Sequence, residues 1–68
     1  MSSDQKNVLE WLKKQNRLYP VFNIGELHQG TSSEKVYAAY NRLSHEEEFE
    51  ILKEFAEWGL NAEKETKL

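Results

Sequence analysis

Hydrophobic and polar residues follow the roughly 3.6-residue period of an amphipathic helix in four successive segments of this chain. Each segment begins with a candidate capping box, in which a Ser, Thr or Asn side chain bonds a backbone N–H three residues later and a Glu or Gln side chain bonds back. The four pairs are Ser2 with Gln5, Asn23 with Glu26, Thr31 with Glu34, and Ser44 with Glu47. The pattern predicts an all-α fold, a small compact bundle of about four helices over residues 3–16, 24–29, 32–43 and 45–58.

The apolar residues of each predicted helix fall on one face, which we expect to be buried. They are Val8, Leu9, Trp11 and Leu12 in the first helix, Ile24 and Leu27 in the second, Val36, Ala39, Tyr40 and Leu43 in the third, and Phe49, Ile51, Leu52, Phe55, Ala56 and Trp58 in the fourth. The apolar arc of the fourth helix covers about half of its circumference, which exceeds what three short neighbouring helices need to bury. A homodimer formed through this helix is therefore one expectation.

One carboxylate, that of Glu48, falls within the apolar arc of the fourth helix. It either reaches solvent from the first helical turn, where the helix dipole favours a negative charge, or it is a buried partner of Arg42, a lysine or a histidine, or a contact in a dimer. The sequence leaves these alternatives open, as it leaves open whether the aromatic side chains of Trp11, Trp58 and Tyr37 are buried.

Proline and glycine predict where the helices end. Pro20 cannot continue a helix and therefore terminates the first one. Gly30 and Gly59 stand where the second and fourth helices are expected to end, with Gly30 as the left-handed residue. Residues 61–68 show no apolar period, so we expect a single helical domain over residues 1–60 and a flexible tail over residues 61–68.

The composition excludes several classes of protein. The chain has 68 residues, enough for one domain with a modest core, and no cysteine. A disulfide framework and a thiolate metal site are therefore excluded, and we expect a cytoplasmic location. No apolar run approaches the roughly 18 residues of a membrane span, and we expect no signal peptide and no membrane partner. A short chain rich in Glu and Lys is also compatible with a bacterial or phage protein.

The charge is unevenly distributed along the chain. Residues 1–43 carry six Lys or Arg and four Asp or Glu, a net charge of +2, whereas residues 44–68 carry three Lys and eight Glu, a net charge of −5, which gives −3 for the chain. This asymmetry indicates either two faces with different partners or one binding face and one face that is merely solvated.

Residues suited to catalysis or metal binding are few. The chain has no glycine-rich phosphate loop and no HExxH-type metal motif. His28 and His45 stand seventeen residues apart on different predicted helices, a spacing without a metal-binding signature, so we interpret them as surface residues. The sequence predicts no catalytic residue, no cofactor and no metal site, and it favours a binding protein over an enzyme.

Residues 23–43 resemble a helix-turn-helix of the winged-helix or repressor type. The resemblance is carried by Glu26, Leu27, Gly30, Ser32, Ser33, Val36 and Leu43, which fit two capped helices around a glycine turn. It implies a DNA-binding regulatory protein in which residues 32–43 form the recognition helix. An amphipathic helix, rather than a β-hairpin wing, follows this segment. The implied nucleic-acid contacts are Ser33, Lys35, Tyr37, Asn41 and Arg42 on the recognition helix, with Lys13, Lys14 and Arg17 adding phosphate contacts.

A helical module that binds another protein, such as an adaptor or an inhibitor, is the alternative function. Its basis is the aromatic content of the chain and the acidic surface of the fourth helix, which can dock on a basic partner. The candidate contacts for this function are Glu47, Glu50, Glu54, Glu57 and Trp58.

Overall fold

The computed structural model describes residues 1–16, 18–30 and 32–66, and this part of the chain contains four α-helices and no β-strand. The helices are α1 (Ser3–Lys14), α2 (Pro20–Gln29), α3 (Glu34–Asn41) and α4 (His45–Thr66). The prediction of an all-α bundle of about four helices is therefore confirmed. The fold measures 39 × 22 × 16 Å, and its long axis reflects α4, whose 22 residues extend about 33 Å at 1.5 Å per residue.

The central helix of the bundle is α1, which packs against both α3 and α4. Its apolar face is buried as the periodicity predicts, and Trp11 is half-buried beside it. The buried apolar side chains are Val8, Leu9 and Leu12 from α1, Leu27 from α2, Ala39 from α3, and Ile51 and Phe55 from α4. This core is small, and α1 supplies almost half of it.

Polar contacts connect the beginning of α1 to α4 and to the end of α3. The buried Gln5 amide donates hydrogen bonds to the Glu47 carbonyl at 3.2 Å and to the Glu50 carboxylate at 3.3 Å. Arg42 forms a bidentate ion pair with Asp4, with N···O distances of 3.0 and 2.8 Å. The first turn of α1 therefore lies beside the first turn of α4 and the last turn of α3.

Two of the four predicted capping boxes are confirmed, and both stand at helix starts that the sequence predicts correctly. Ser2 and Gln5 bond each other's backbone N–H at the beginning of α1. Ser44 and Glu47 do the same at the beginning of α4, with N···O distances of 3.0 and 3.2 Å. Each pair satisfies backbone donors that have no partner within the helix.

The third helix is shorter than the predicted range of residues 32–43 and begins at a different cap. The predicted cap, Thr31, lies outside the described residues. Ser33 is the cap that the structure shows: its backbone is extended and its hydroxyl oxygen accepts a hydrogen bond from the Val36 N–H. Because the Ser33 hydroxyl satisfies a donor of the first turn, α3 begins at Glu34, two residues later than predicted.

The second helix begins at Pro20, four residues before the predicted start. Proline fits the first position of a helix because its missing N–H would have no intrahelical partner there. Asn23 consequently lies inside α2, so the predicted capping box of Asn23 and Glu26 is wrong. The Asn23 side chain is buried instead, and its amide donates to the Asn16 carbonyl at 2.8 Å, which connects α2 to the end of α1.

The two glycines at predicted helix ends behave differently. Gly30 ends α2 in the left-handed region, at φ +81°, and its N–H bonds the last carbonyls of the helix, as predicted. Gly59 does not end α4, which continues to Thr66. The residues that follow Gly59 include Leu, Ala, Glu and Lys, which are strong helix formers. Residues 61–66 of the predicted tail are therefore helical, and residues 67–68 lie outside the described residues.

Candidate functional site

An open groove with apolar walls lies between α2 and α4, above a floor formed by Val8 and Leu12 of α1. It has two parts, of ≈ 380 Å³ and ≈ 680 Å³, which meet at Ile24 and Leu52. We call the two parts together the apolar groove. Besides the floor, its lining residues are Ile24, Leu27, Tyr40, Leu43, His45, Glu48, Phe49, Ile51 and Leu52 in the first part and Leu18, Pro20, Ile24, Leu52, Phe55, Ala56, Trp58, Gly59, Leu60 and Glu63 in the second.

The groove exists because the apolar arc of α4 is wider than the core that it covers. Ile51 and Phe55 are buried in the core, whereas the exposed fractions of Phe49, Leu52 and Leu60 are 72%, 39% and 63%. On the opposite side of the groove Leu18 is 70% exposed. Contiguous exposed apolar side chains of this kind mark interaction surfaces in soluble proteins.

Tyr40 lines the first part of the groove together with Glu48, and it also contacts His28, which is not a lining residue. The Tyr40 hydroxyl lies 3.2 Å from His28 Nδ1, within hydrogen-bond distance. Burial raises the pKa of Tyr40, and the nearby negative charge of Glu48 raises it further. Glu48 is half-buried and lines the groove, so it neither points freely into solvent nor pairs with Arg42, which binds Asp4.

The second part of the groove has an aromatic wall. The rings of Phe55 and Trp58 stack with centroids 5.8 Å apart. Lys13 Nζ lies over the Trp58 ring, 5.9 Å from its centroid, within the range of a cation–π contact. Trp58 is half-buried and its ring is held in place by both neighbours.

The predicted DNA-contact residues of α3 do not share one face. Lys35 and Ser33 line a shallow cleft of ≈ 260 Å³ between α3 and α1, together with Lys14 and Glu10 of α1. Asn41 is exposed outside this cleft. The cleft is therefore the place where the structure brings predicted nucleic-acid contacts together.

The other predicted DNA contacts are engaged or lie elsewhere. The Tyr37 ring packs close to Gly30, with ring atoms 3.2 Å from the position that a Cβ at Gly30 would take. Arg42 uses its guanidinium to bind Asp4. Lys13 lies over the Trp58 ring of α4 and does not line the cleft that contains Lys14. Arg17 lies outside the described residues.

The acidic residues predicted to bind a protein also fall into two groups. The carboxylates of Glu47 and Glu50 accept hydrogen bonds from α1 and its cap, and the hydrogen bond from the Ser44 N–H lowers the pKa of Glu47. Glu54 and Glu57 are exposed but do not line the apolar groove. Trp58 is the member of this predicted set that lines it.

The residues that the sequence prediction missed are the exposed apolar ones. Leu52 and Leu60 on α4 and Leu18 before α2 line the groove, although the sequence pattern places Leu52 in the core and assigns Leu18 and Leu60 to no site. Phe49 also lines the groove, and the sequence makes it a protein contact only if its side chain is exposed. The available signal was the width of the apolar arc, which indicated surplus apolar surface on α4. That signal does not identify which edge of the arc remains open, because this depends on the position of α2.

The described residues contain neither a metal-binding cluster nor a membrane-spanning helix. No group of three or more His, Cys, Asp or Glu there is arranged to hold a metal ion. None of the helices in the described ranges combines the length and the apolar character needed to cross a membrane.

Comparison with known proteins does not assign this chain to a family. No protein-family model matches the chain, and neither the curated proteins nor the solved structures contain a match. Function must therefore be inferred from the geometry of the sites themselves.

Proposed function

We propose that this protein is a protein-binding module whose binding surface is the apolar groove between α2 and α4. The observation that supports this proposal is the exposure of large apolar side chains along the groove, with Phe49 72% and Leu60 63% exposed at its edge. Transferring such side chains from water into an interface stabilises a complex by about 1.5–3 kcal/mol for each one fully buried. The groove also has pockets into which partner side chains can insert, as interface hot spots require.

A helical peptide tests this proposal directly. The probe is a fluorescein-labelled peptide of about 15 residues, neutral overall, with Leu at helical spacing on one face and Gln and Ser on the other. Its binding to the full chain is followed by fluorescence anisotropy. We expect saturable binding that Phe49→Ser weakens about tenfold, because the substitution removes an exposed apolar contact without touching the core.

Val21 provides the matched control for Phe49. Its side chain is 80% exposed, it belongs to α2, and it does not line the apolar groove. Val21→Ser should therefore leave the peptide affinity unchanged. Equal losses for Phe49→Ser and Val21→Ser, or no saturable binding to the unsubstituted chain, would refute the proposal.

We propose DNA binding through the cleft between α1 and α3 as the second candidate function. The observation that favours it is the placement of Lys14, Lys35 and Ser33 around one cleft, where two cations and a hydroxyl can contact neighbouring phosphates. The resemblance of residues 23–43 to a helix-turn-helix also supports it. We expect the electrostatic attraction between this cleft and DNA to be modest, because the chain has a net charge of −3 and Glu10 lines the same cleft.

A mobility-shift titration with duplex DNA at low salt tests this second candidate. We expect Lys14→Gln and Lys35→Gln each to weaken binding and to flatten its salt dependence, since each removes one phosphate contact. Lys53→Gln, on the exposed surface of α4, is the matched control and should have no effect. Binding that is insensitive to both cleft lysines would contradict DNA recognition at this cleft.

A further inference from the structure

The walls of the apolar groove determine the backbone conformation of what can bind there. The floor and most of the walls belong to α1, α2 and α4, whose backbone N–H and C=O groups are bonded within the helices themselves. Leu18, Tyr40 and Leu43 complete the lining from the segment before α2, from α3 and from the segment after α3. The described residues contain no strand edge to which an extended peptide could add. The groove therefore offers no backbone partners to the N–H and C=O groups of a bound segment. We infer that the bound segment is a helix, because a helix bonds these groups within itself.

The length of the groove sets the length of that helix. The groove follows α4 from Glu48 in its first part to Glu63 in its second part. These two residues are fifteen positions apart on one helix, so the groove is about 22 Å long. A helix of about four turns matches this distance.

The charge around the groove distinguishes between occupants. Glu48 and Glu63 line it, and no Lys or Arg appears among its described lining residues. α4 carries eight Glu and two Lys and α2 carries one Glu, a net charge of −7 for the two helices, and the members of this set that line the groove are Glu48 and Glu63. A second copy of this chain would bring the same negative charge to the contact, and like charges placed opposite each other disfavour a complex.

From these observations we infer that the groove binds a basic amphipathic helix of a partner protein, with apolar side chains along one face and Lys or Arg near both of its ends. The apolar side chains fill the two parts of the groove, and the cationic groups lie beside Glu48 and Glu63. This inference rests on the proposed protein-binding function and specifies the chemistry of the partner.

Three peptides with identical apolar faces test the inference against the full chain. Their polar residues near both ends are Lys in the first, Gln in the second and Glu in the third. At low ionic strength we expect the Lys peptide to bind on the order of tenfold more tightly than the Glu peptide, with the Gln peptide between them. Because salt screens exposed charges, the difference should shrink as ionic strength rises.

Charge variants of the groove connect the preference to particular carboxylates. Glu48→Gln and Glu63→Gln should each reduce the ratio of the affinity for the Lys peptide to the affinity for the Glu peptide. Glu54→Gln, a carboxylate of α4 outside the groove, is the matched control and should preserve the preference. Circular dichroism of each variant verifies that the helices are intact.

Peptide charge and peptide binding test the inference and the proposed function independently. If all three peptides bind the groove equally well, or if Glu54→Gln reduces the preference as much as the groove variants do, the inference is wrong and the protein-binding function stands. If even the neutral peptide fails to bind, the proposed function itself is wrong. A dimer of the free protein that Phe49→Ser dissociates in sedimentation velocity would replace the partner helix by a second copy and overturn the inference.

Discussion

Among single residues, Gly30 has the strictest conformational requirement in the described part of the chain. Its φ of +81° lies in the region that side chains with a Cβ rarely adopt. A Cβ at this position would also stand 3.2 Å from two atoms of the Tyr37 ring. By contrast, a Cβ at Gly25, within α2, would meet nothing within 4 Å.

Alanine substitutions of these two glycines should change stability in opposite directions. We expect Gly30→Ala to lower the free energy of unfolding by about 1–2 kcal/mol, because of the left-handed backbone. Gly25→Ala should raise it by up to about 1 kcal/mol, since alanine favours the interior of a helix. Urea denaturation measures both. A neutral or stabilising Gly30→Ala would contradict the assigned helix end.

Two carboxylates make the stability of the fold depend on acidic pH. Hydrogen bonds from Arg42 lower the pKa of Asp4, and a hydrogen bond from the Ser44 N–H lowers that of Glu47. The unfolded chain therefore takes up these protons at higher pH than the folded chain does. Their contribution to stability is complete above the ordinary carboxyl pKa values of about 4 and is lost as the pH falls through the lowered values.

This dependence can be measured residue by residue. In a carboxyl NMR titration, Asp4 should titrate below the ordinary range in the unsubstituted protein and return toward it in Arg42→Gln. Glu47 should titrate at the same lowered pH in both proteins, because its main hydrogen-bond donor is retained. An Asp4 pKa that Arg42→Gln leaves unchanged would show that the bidentate ion pair does not form in solution.

At the level of elements, α2 depends on a few contacts. Its buried side chains are Leu27, in the core, and Asn23, which donates a hydrogen bond to the Asn16 carbonyl. Its first turn carries the exposed side chains of Val21 and Phe22. Because few buried contacts mean low local stability, we expect α2 to be less stable locally than α1.

Removal of the Asn23 side chain should loosen α2 in particular. We expect Asn23→Ala to reduce the free energy of unfolding by about 0.5–1.5 kcal/mol, because it removes one hydrogen bond to the Asn16 carbonyl, which keeps the Tyr19 N–H as a donor. Hydrogen exchange should accelerate more in α2 than in α1. Gln29→Ala, an exposed substitution at the end of the same helix, is the control and should change neither quantity. Uniform acceleration in α1 and α2 would contradict a local role for Asn23.

Capping residues in the sequence predict most of the helices, and the prediction fails where one side chain can form two different kinds of hydrogen bond. The pairs Ser2 with Gln5 and Ser44 with Glu47 located the starts of α1 and α4 correctly. The prediction of Asn23 as a cap is wrong because the same side chain can cap a helix or bond a distant carbonyl, and only the tertiary structure decides between them.

For the whole molecule, the sequence predicted surplus apolar surface on α4 but not the groove that results from it. The surplus follows from counting apolar positions around one helix. The groove depends on where α2 lies, and that position is set by nonlocal contacts such as the burial of Leu27. Nonlocal packing also separates two predicted DNA contacts, Lys35 and Arg42, which the sequence places on one recognition surface. Packing against α1 pairs Arg42 with Asp4, whereas Lys35 lines the cleft between α1 and α3.

Residue-resolved NMR of the ¹⁵N-labelled full chain, titrated with the neutral amphipathic peptide, tests the central claim most directly. We predict that chemical-shift changes concentrate on the lining residues of the apolar groove in α2 and α4, with the amides of α3 that face away from it unchanged. A parallel titration with duplex DNA at low salt tests the cleft between α1 and α3. If the peptide leaves the groove amides unperturbed at saturating concentration, the groove is not a binding site and the account is contradicted.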